Sequence, residues 1–282
     1  MMSPSSTPEV GRTRRNEGLG TFAERFPILF ESTGRKQKAA KILAVLRHFA
    51  GLEVERSTIL EVGSSTGIIA GEFARVCRRV VAFDLDSVAL RSGADRARSD
   101  RRISAKMSFV IGDACRMPVA DKAVEIVVCN HVYEHVDDGH SLMNEIYRVL
   151  RPGGICYFGA GTRHVIIEGH YKLPFLSWLP PRLADIYVKL RGADLDYDVK
   201  LLSYRRLKKL VHRFSVFDYT VDIIRRPEVY AATDVIGRLR WLSSIPRGVL
   251  KRVRPLLPVH VWVLQKPLRP SPGKTVVVQT QQ

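Results

Sequence analysis

The sequence predicts an α/β protein built on a doubly wound, mostly parallel sheet, and two observations support this prediction. Short, continuous apolar runs recur through residues 58–159 and alternate with segments of helical periodicity. Such runs are typical of strands that are buried on both faces of a parallel sheet. The segment Arg151-Pro152-Gly153-Gly154 ends one helix and turns the chain into the next strand. Ligands of such sheets bind beyond the carboxyl ends of the strands.

The predicted elements follow one another in a regular order. A leading helix is expected over residues 35–49, where apolar residues keep a helical period. The central elements are strand 58–62, helix 67–76, strand 79–84, helix 87–98, strand 107–111, strand 124–129, helix 139–150 and strand 154–159. The later elements are a basic amphipathic helix over 204–214, a strand over 216–224, a helical pattern within 235–245 and a last strand over 259–264.

The composition is that of a globular protein with a strongly basic second half. The chain has 282 residues, of which 45% are hydrophobic, and a formal net charge of +17. Residues 161–282 hold 22 Lys and Arg but 9 Asp and Glu, a balance that attracts nucleic acid, acidic lipid headgroups or phosphorylated substrates. The sequence contains no run of 18 apolar residues and no apolar leader, and its four cysteines are scattered. We therefore expect a cytoplasmic protein with buried free thiols.

The stretch ILEVGSSTGIIA, residues 59–70, carries the strongest local signal for a ligand. It predicts a strand that ends in Glu61, a turn of small residues and a helix N-terminus, whose free N–H groups can contact a bound molecule. Asp84 ends the next strand, 21 residues after Gly63, and a carboxylate at this distance suits the two hydroxyls of a ribose. Glu61 would repel a pyrophosphate but would accept a cationic amino or sulfonium group.

Four segments resemble one known family. ILEVGSSTG, VVAFDLD, FVIGDACRMPVADKAVEIVVCNHVYEHVDD and EIYRVLRPGG occur in this order within residues 58–159. Together they resemble the class I S-adenosylmethionine (SAM) dependent methyltransferases of the small-molecule and lipid type. The resemblance implies SAM as cofactor and a Rossmann-like seven-stranded sheet of order 3-2-1-4-5-7-6, with an antiparallel last strand and insertions after strands 5 and 6. Ser65 departs from the family's common loop, in which glycine is usual at this position.

The resemblance also assigns cofactor-binding roles to residues at the carboxyl ends of the strands. Asp84 would hold the ribose, Leu85 would pack on the adenine, and Asp113 with the N–H of Ala114 would bind the adenine edge. Arg35 could reach the cofactor carboxylate, although an ordinary exposed arginine at a helix start fits equally well. The predicted cofactor-binding residues are Arg35, Glu61, Gly63, Ser64, Ser65, Gly67, Asp84, Leu85, Asp113, Ala114, Asn130 and His131.

The chain is predicted to form a single domain with an insertion over the ligand edge of its sheet. The predicted division is a disordered tail over 1–20, a methyltransferase domain over 21–266 with its cofactor half at 35–160, and a flexible tail over 267–282. Residues 161–202 form a connection of about 40 residues where a handful is usual. Its aromatic and proline residues indicate a lid. A second excursion spans residues 225–258.

Two histidines are candidates for a general base. His131 follows the fourth strand, near the expected methyl group, and His170 lies in the predicted lid beside Tyr171. Histidine suits the role because its ordinary pKa is near neutrality, but either residue could simply pack or form a structural hydrogen bond. The order His131, Glu134, His135 also occurs in one group of zinc proteases. Here it follows a buried strand in a methyltransferase context, and we expect no metal.

Several functions are compatible with these observations. The leading prediction is SAM-dependent methyl transfer to an O, N or C atom of a small-molecule or lipid- or glycan-linked metabolite. A nucleic-acid methyltransferase would use the basic second half, but Cys129-Asn130-His131-Val132 stands where an Asn-Pro-Pro-Tyr motif would be expected. A non-catalytic SAM-binding protein remains an alternative. The loop pattern disfavours a nicotinamide-dependent oxidoreductase.

Residues 235–258 predict a contact with the membrane. This stretch combines basic residues with Trp241 and aliphatic residues at helical spacing and contains no acid. Such a pattern fits a segment lying on an anionic surface, at the inner face of the membrane. It fits equally a helix that packs on the sheet edge with a solvated basic face.

Overall fold

The computed structural model describes residues 32–168, 171–191, 197, 199–268 and 278–279. The predicted tail 1–20, His170 and most of the predicted tail 267–282 lie outside the described residues. Within them, the sheet has eight strands in the order β3-β2-β1-β4-β5-β7-β6-β8. The strands are β1 (Thr58–Val62), β2 (Arg79–Asp84), β3 (Met107–Ile111), β4 (Val124–Asn130), β5 (Leu150–Gly161), β6 (Ser215–Asp218), β7 (Val259–Gln265) and β8 (Val278–Gln279).

Strand directions confirm the predicted Rossmann-like sheet. β1 to β5 are parallel, and β7 is antiparallel to both of its neighbours, β5 and β6. The first seven strands have the predicted order 3-2-1-4-5-7-6. β8 is an eighth strand that was not predicted. It lies in the stretch that was predicted to be a flexible tail, and it pairs with β6.

Helices cover both faces of this sheet. The α-helices are α1 (Ser32–Ala50), α2 (Glu53–Arg56), α3 (Ile68–Val76), α4 (Ser87–Arg98), α5 (Arg101–Ser104), α6 (Gly139–Val149), α7 (Pro181–Leu190), α8 (Tyr204–Leu210), α9 (Thr220–Arg225), α10 (Thr233–Ile236) and α11 (Arg247–Val253). Short 3-10 helices span Leu176–Trp178, Gly237–Ser244 and Arg254–Leu256. Within the described part of the chain, none of the helices has the length and apolar character needed to cross a membrane.

The central strands are buried from both sides. Ile59 of β1 lies in the same buried cluster as Ile42 of α1 and Phe73 of α3. Leu60, the next residue, points to the opposite face and lies in the cluster that contains Leu142 of α6. Successive side chains of a strand alternate between faces, so a strand covered on both sides must be apolar throughout. This explains why the core strands are continuous apolar runs in the sequence.

The predicted strand over 216–224 is wrong beyond Asp218. β6 ends there, and the chain continues into helix α9. Oδ1 of Asp218 accepts a hydrogen bond from the N–H of Thr220 at 2.9 Å, which closes a turn. The β-branched residues of 220–224 have strand propensity, but this local side-chain contact and the packing of α9 override it. The predicted helix over 204–214 is also shorter, because α8 ends at Leu210.

Candidate active site

The loop between β1 and α3 turns through three residues with left-handed backbone conformation. They are Gly63 at φ +74°, Ser65 at φ +49° and Gly67 at φ +66°. A Cβ at Gly63 would lie 2.6 Å from Cγ2 of Val132, so glycine is required by space as well as by conformation. Ser65 adopts a conformation that favours glycine, which explains why glycine is usual at this position of the resembled loop. The departure at Ser65 therefore leaves the turn intact.

Buried oxygen atoms without partners line this loop. Glu61 is 4% exposed, and its Oε2 has no hydrogen-bond partner among the described residues. The hydroxyl groups of Ser64 and Ser65 are also buried and, in the same part of the chain, unpartnered. Buried polar groups are rarely left unsatisfied in proteins, so these atoms mark a place where a polar ligand fits.

Electrostatics at Glu61 favour a cationic ligand. Burial raises the pKa of Glu61 to about 8, while the positive charges of Arg35 and Lys38 oppose this rise. Burial lowers the pKa of Arg35, while the negative charges of Glu61 and Asp84 oppose this fall. Arg35, on the first turn of α1, is therefore within electrostatic range of both carboxyl groups. The amino and sulfonium groups of SAM match a buried carboxylate, so these residues fit the cofactor that the resemblance implies.

Asp84 joins the end of β2 to the loop after β1. Its Oδ2 accepts from the N–H of Ser65 at 2.6 Å, and its Oδ1 accepts from the N–H of Asp86 at 2.9 Å. Burial raises the pKa of Asp84, and these two backbone hydrogen bonds oppose the rise. Each carboxylate oxygen can accept a further bond, which leaves room for two ribose hydroxyls. Leu85 follows with its side chain 64% exposed, as an adenine-stacking residue would be before the ligand binds.

Asp113 and Ala114 lie next to this corner. The N–H of Gly112 donates to the backbone oxygen of Asp84 at 3.0 Å, which places the end of β3 beside the end of β2. Oδ1 of Asp113 accepts from the N–H of Cys115 at 2.8 Å, so its observed contact is that of a turn-capping aspartate. Asp113 is exposed, and its predicted contact with adenine stays a prediction.

The end of β4 carries a histidine–glutamate pair. His131 has φ +56°, and its N–H donates to the backbone oxygen of Gly159 at 2.8 Å. Nδ1 of His131 lies 3.0 Å from Oε1 of Glu134. Glu134 is 2% exposed, whereas the side chain of His131 is 38% exposed. A buried carboxylate thus holds a histidine that faces the ligand edge of the sheet.

Hydrogen bonds fix the backbone around this pair. The hydroxyl of Tyr133 donates to the backbone oxygen of Gly161 at 2.5 Å and accepts from the N–H of Leu202 at 3.1 Å. The backbone oxygen of Glu134 accepts from the N–H of Lys200 at 3.0 Å. Both ends of the 161–202 insertion are therefore tied to the loop that carries His131.

The insertion has a small core of its own. Leu176, Ala184 and Val188 form its buried centre. Tyr171 packs edge-on against Tyr197 with ring centroids 5.6 Å apart, and its N–H donates to Oε2 of Glu168 at 2.7 Å. The structure therefore places Tyr171 within the insertion's own cluster. His170 lies outside the described residues, and its predicted role stays a prediction.

Glu134 is the site residue that sequence reasoning missed. Its spacing of three residues from His131 is the available signal, and in the sequence that spacing resembles part of a zinc motif. Among the described residues, no group of three or more His, Cys, Asp or Glu side chains is placed to hold a metal ion. The expectation of a metal-free site stays a prediction.

Comparison with known proteins supports the resemblance to methyltransferases. A family model described as "Methyltransferase domain" matches residues 60–158. This match confirms the resemblance to the class I SAM-dependent methyltransferases over that part of the chain. The matched residues run from β1 through β5 and thus include the loop, Asp84 and the His131–Glu134 pair. The resemblance implies SAM as the cofactor.

Individual methyltransferases resemble this chain over about half of its length. A malonyl-[acyl-carrier protein] O-methyltransferase of Pectobacterium atrosepticum is 28% identical over 135 residues, which are 48% of this chain and 47% of that protein. An uncharacterized methyltransferase of Mycobacterium sp. is 33% identical over 136 residues, 48% of this chain and 51% of the relative. The chain thus spans about half the length of these curated relatives.

A solved structure shows the same fold beyond the matched region. The phosphoethanolamine N-methyltransferase 1 of Haemonchus contortus, in complex with phosphoethanolamine and S-adenosylhomocysteine, has a TM-score of 0.53. The match covers 89% of this chain and 46% of that chain at 13% sequence identity. At this identity the likeness concerns the methyltransferase fold alone.

Proposed function

We propose that this protein transfers the methyl group of SAM to an O, N or C atom of a small-molecule or lipid- or glycan-linked metabolite. The observation that carries the proposal is the His131–Glu134 pair at the end of β4, beside the end of β1 that carries Glu61. The methyltransferase domain matched at residues 60–158 supports methyl transfer, and the pair supplies a chemical group for the acceptor side of the site.

Different residues would bind the cofactor and activate the acceptor. SAM, when bound, supplies a methyl group on a positively charged sulfonium. Glu61 attracts the cationic cofactor, and Asp84 accepts hydrogen bonds from its ribose. An ionised Glu134 only accepts hydrogen bonds, so it selects the His131 tautomer that carries its proton on Nδ1. Nε2 of His131 then has a free lone pair and can take a proton from an acceptor hydroxyl or amine.

A small or carrier-linked acceptor is supported by the relatives and by the charge distribution. The Pectobacterium relative is named as an O-methyltransferase of a malonyl group on acyl-carrier protein. The excess of basic residues in 161–282 suits an acceptor that carries a phosphate or carboxylate. A nucleic-acid methyltransferase is the second candidate, because the same basic surface would attract a phosphate backbone.

Incubation with labelled SAM and cell extract tests the proposal. The label should appear in a small-molecule, lipid or glycan fraction, and the variant His131→Ala should strongly reduce it. Label in RNA or DNA would instead favour the second candidate. SAM binding without transfer to any fraction would indicate a non-catalytic SAM-binding protein.

A further inference from the structure

A second group of buried polar side chains lies near the ligand edge of the sheet, around β7. His260 and Trp262 of β7 are fully buried, and Tyr204 of α8 is 6% exposed. The ring centroid of His260 lies 4.8 Å from that of Tyr204 and 5.6 Å from that of Trp262. Asp218, at the end of β6, forms an ion pair with Arg254 at 3.3 Å. We call Tyr204, Asp218, Arg254, His260 and Trp262 the β7 cluster.

The register of the strands places this cluster on the acceptor side of the site. His260 pairs with Ala160 near the end of β5, and Trp262 pairs with Asp218 at the end of β6. Residues two apart in a strand share a face, so His260 lies with Trp262 on the side of the sheet that α8 covers. The N–H of His131 donates to β5 from the end of β4. Two strand spacings, about 10 Å, therefore separate the backbone of His131 from that of His260.

Several buried polar atoms of the cluster have no hydrogen-bond partner in the described part of the chain. They are both ring nitrogens of His260, Nε1 of Trp262, the hydroxyl of Tyr204 and Nε of Arg254. The indole and guanidinium N–H groups can only donate, and the hydroxyl and the neutral imidazole can each donate once. The carboxylate of Asp218 is already paired with Arg254. The cluster therefore holds an excess of donors, which fits a bound molecule that supplies acceptor oxygens.

Arg254 connects the cluster to solvent. Its side chain is 16% exposed, and its guanidinium carbon lies 5.5 Å from the centre of the Tyr204 ring. Arg254 belongs to the second excursion, whereas His164 of the insertion is within electrostatic range of His260. The cluster thus lies where the two excursions meet. The sequence contains no acidic residue after Asp234, so the surface through which a ligand enters at Arg254 favours an anion.

We propose that the β7 cluster binds an acidic group of the methyl acceptor, a carboxylate or a phosphate. The oxygens of this group accept hydrogen bonds from Trp262, Tyr204 and Arg254. An anion beside His260 favours the protonated imidazole, so two cations then stand against the single carboxylate of Asp218. The spacing of about 10 Å suits an acceptor whose methylated atom and acidic group lie at opposite ends. The role of the ligand as acceptor rests on the proposed methyl transfer, whereas binding of the anion does not.

The indole N–H signal of Trp262 in the NMR spectrum of the full chain tests the subsite without methyl transfer. The signal is assigned by its absence from Trp262→Phe. Inorganic phosphate or acetate should shift it saturably relative to chloride at equal ionic strength, whereas the exposed Trp178 and Trp241 report general salt effects. Tyr204→Phe removes one donor and should weaken binding of the anion by about tenfold or more. Tyr147→Phe, the same change on a half-buried ring of α6, is the matched control and should bind like the wild type.

The subsite and the proposed function can fail separately. A Trp262 signal that neither anion shifts, or a shift that Tyr204→Phe leaves unchanged, would overturn the subsite and indicate buried water at these donors. If methyl transfer occurs, the product should carry a carboxylate or phosphate, and Tyr204→Phe should raise the KM for its acceptor while SAM affinity is unchanged. Transfer only to acceptors without an acidic group would overturn the subsite and leave the function intact. Anion binding without transfer to any fraction would overturn the function and leave the anion site.

Discussion

Nδ1 of His131 lies 3.0 Å from Oε1 of Glu134, in a loop where Glu134 is buried and His131 is partly open to solvent. His131 can take a proton, and Glu134 orients the imidazole ring of His131. Because Glu134 acts through His131, we regard it as a positioning residue. Variants at the two positions should separate these roles.

Removing His131 should reduce turnover more than any other single change on the acceptor side. His131→Ala should lower kcat by about 100- to 10,000-fold, the usual contribution of a general base. It should leave SAM affinity unchanged, because the resemblance implies a backbone contact with the cofactor at this position. Glu134→Gln should lower kcat less, because an amide can still hold the ring but no longer selects the tautomer with a free Nε2. Formation of S-adenosylhomocysteine measures both effects. His140→Ala, an exposed histidine at the start of α6, is the matched control.

Glu61 should make SAM binding depend on pH. Its pKa is raised from 4.5 to about 8 by burial, so the free protein keeps this carboxyl largely protonated at neutral pH. Its contribution to folding stability is therefore full below about pH 4.5 and is lost as the pH rises through about 8. A bound cation favours the carboxylate, so SAM should release a proton on binding below about pH 8.

Calorimetry at pH 7 in two buffers of different ionisation enthalpy measures this proton. The apparent binding enthalpy should differ between the buffers for the wild type. Glu61→Gln should bind SAM more weakly and give equal enthalpies in both buffers. Equal enthalpies for the wild type would show that Glu61 does not face the cationic part of the cofactor.

Asp84 should contribute to cofactor affinity through the ribose. Asp84→Ala should weaken SAM binding by about 1.5–3 kcal/mol, the range for hydrogen bonds to a charged group. Part of this loss would come from the N–H of Ser65, which would no longer be held by the carboxylate. Titration calorimetry measures the change, with Asp95→Ala on the exposed side of α4 as the control. Unchanged affinity in a folded Asp84→Ala protein would rule out the assigned role.

Sequence patterns predicted most of the sheet but not the contacts that complete the site. β1, β2 and β3 begin and end at the predicted residues, because a short apolar run marks each strand, although β3 at the edge of the sheet is only partly buried. The predicted strand beyond Asp218 was wrong, because the turn made by the Asp218 carboxylate is weakly encoded next to strongly β-branched neighbours. Glu134 was missed because its role depends on burial, which a single acidic residue in a loop does not indicate.

Gly63 should be coupled energetically to Val132. Gly63→Ala should destabilise the fold by about 1–2 kcal/mol, because its φ of +74° is strained for alanine and the new Cβ would meet Cγ2 of Val132 at 2.6 Å. Val132→Ala should remove the steric part of this loss and leave the backbone part. A double-mutant cycle from urea unfolding should then give a coupling of about 1 kcal/mol. Strictly additive effects would mean that backbone strain alone accounts for the requirement for glycine.

His260 should make the fold sensitive to mild acid. Its side chain is fully buried beside Tyr204 and Trp262, and burial lowers its pKa from 6.5 to about 4 despite the negative charge of Asp218. A histidine held neutral in the folded state gives its full contribution to stability above about pH 6.5 and loses it as the pH falls towards about 4. The loss should reach about 3 kcal/mol across this window.

The variant His260→Phe isolates this contribution from the carboxylates that also titrate in acid. Phenylalanine can pack against the same two rings but cannot bind a proton. Urea unfolding at pH 7 and pH 4.5 should therefore show a smaller fall in stability for the variant than for the wild type. Ring size is similar in the two side chains, so the difference between the two pH values reports the proton rather than the packing. If both proteins lose the same stability, protonation of His260 does not drive the acid response, and the buried Asp218–Arg254 pair beside it becomes the next group to test.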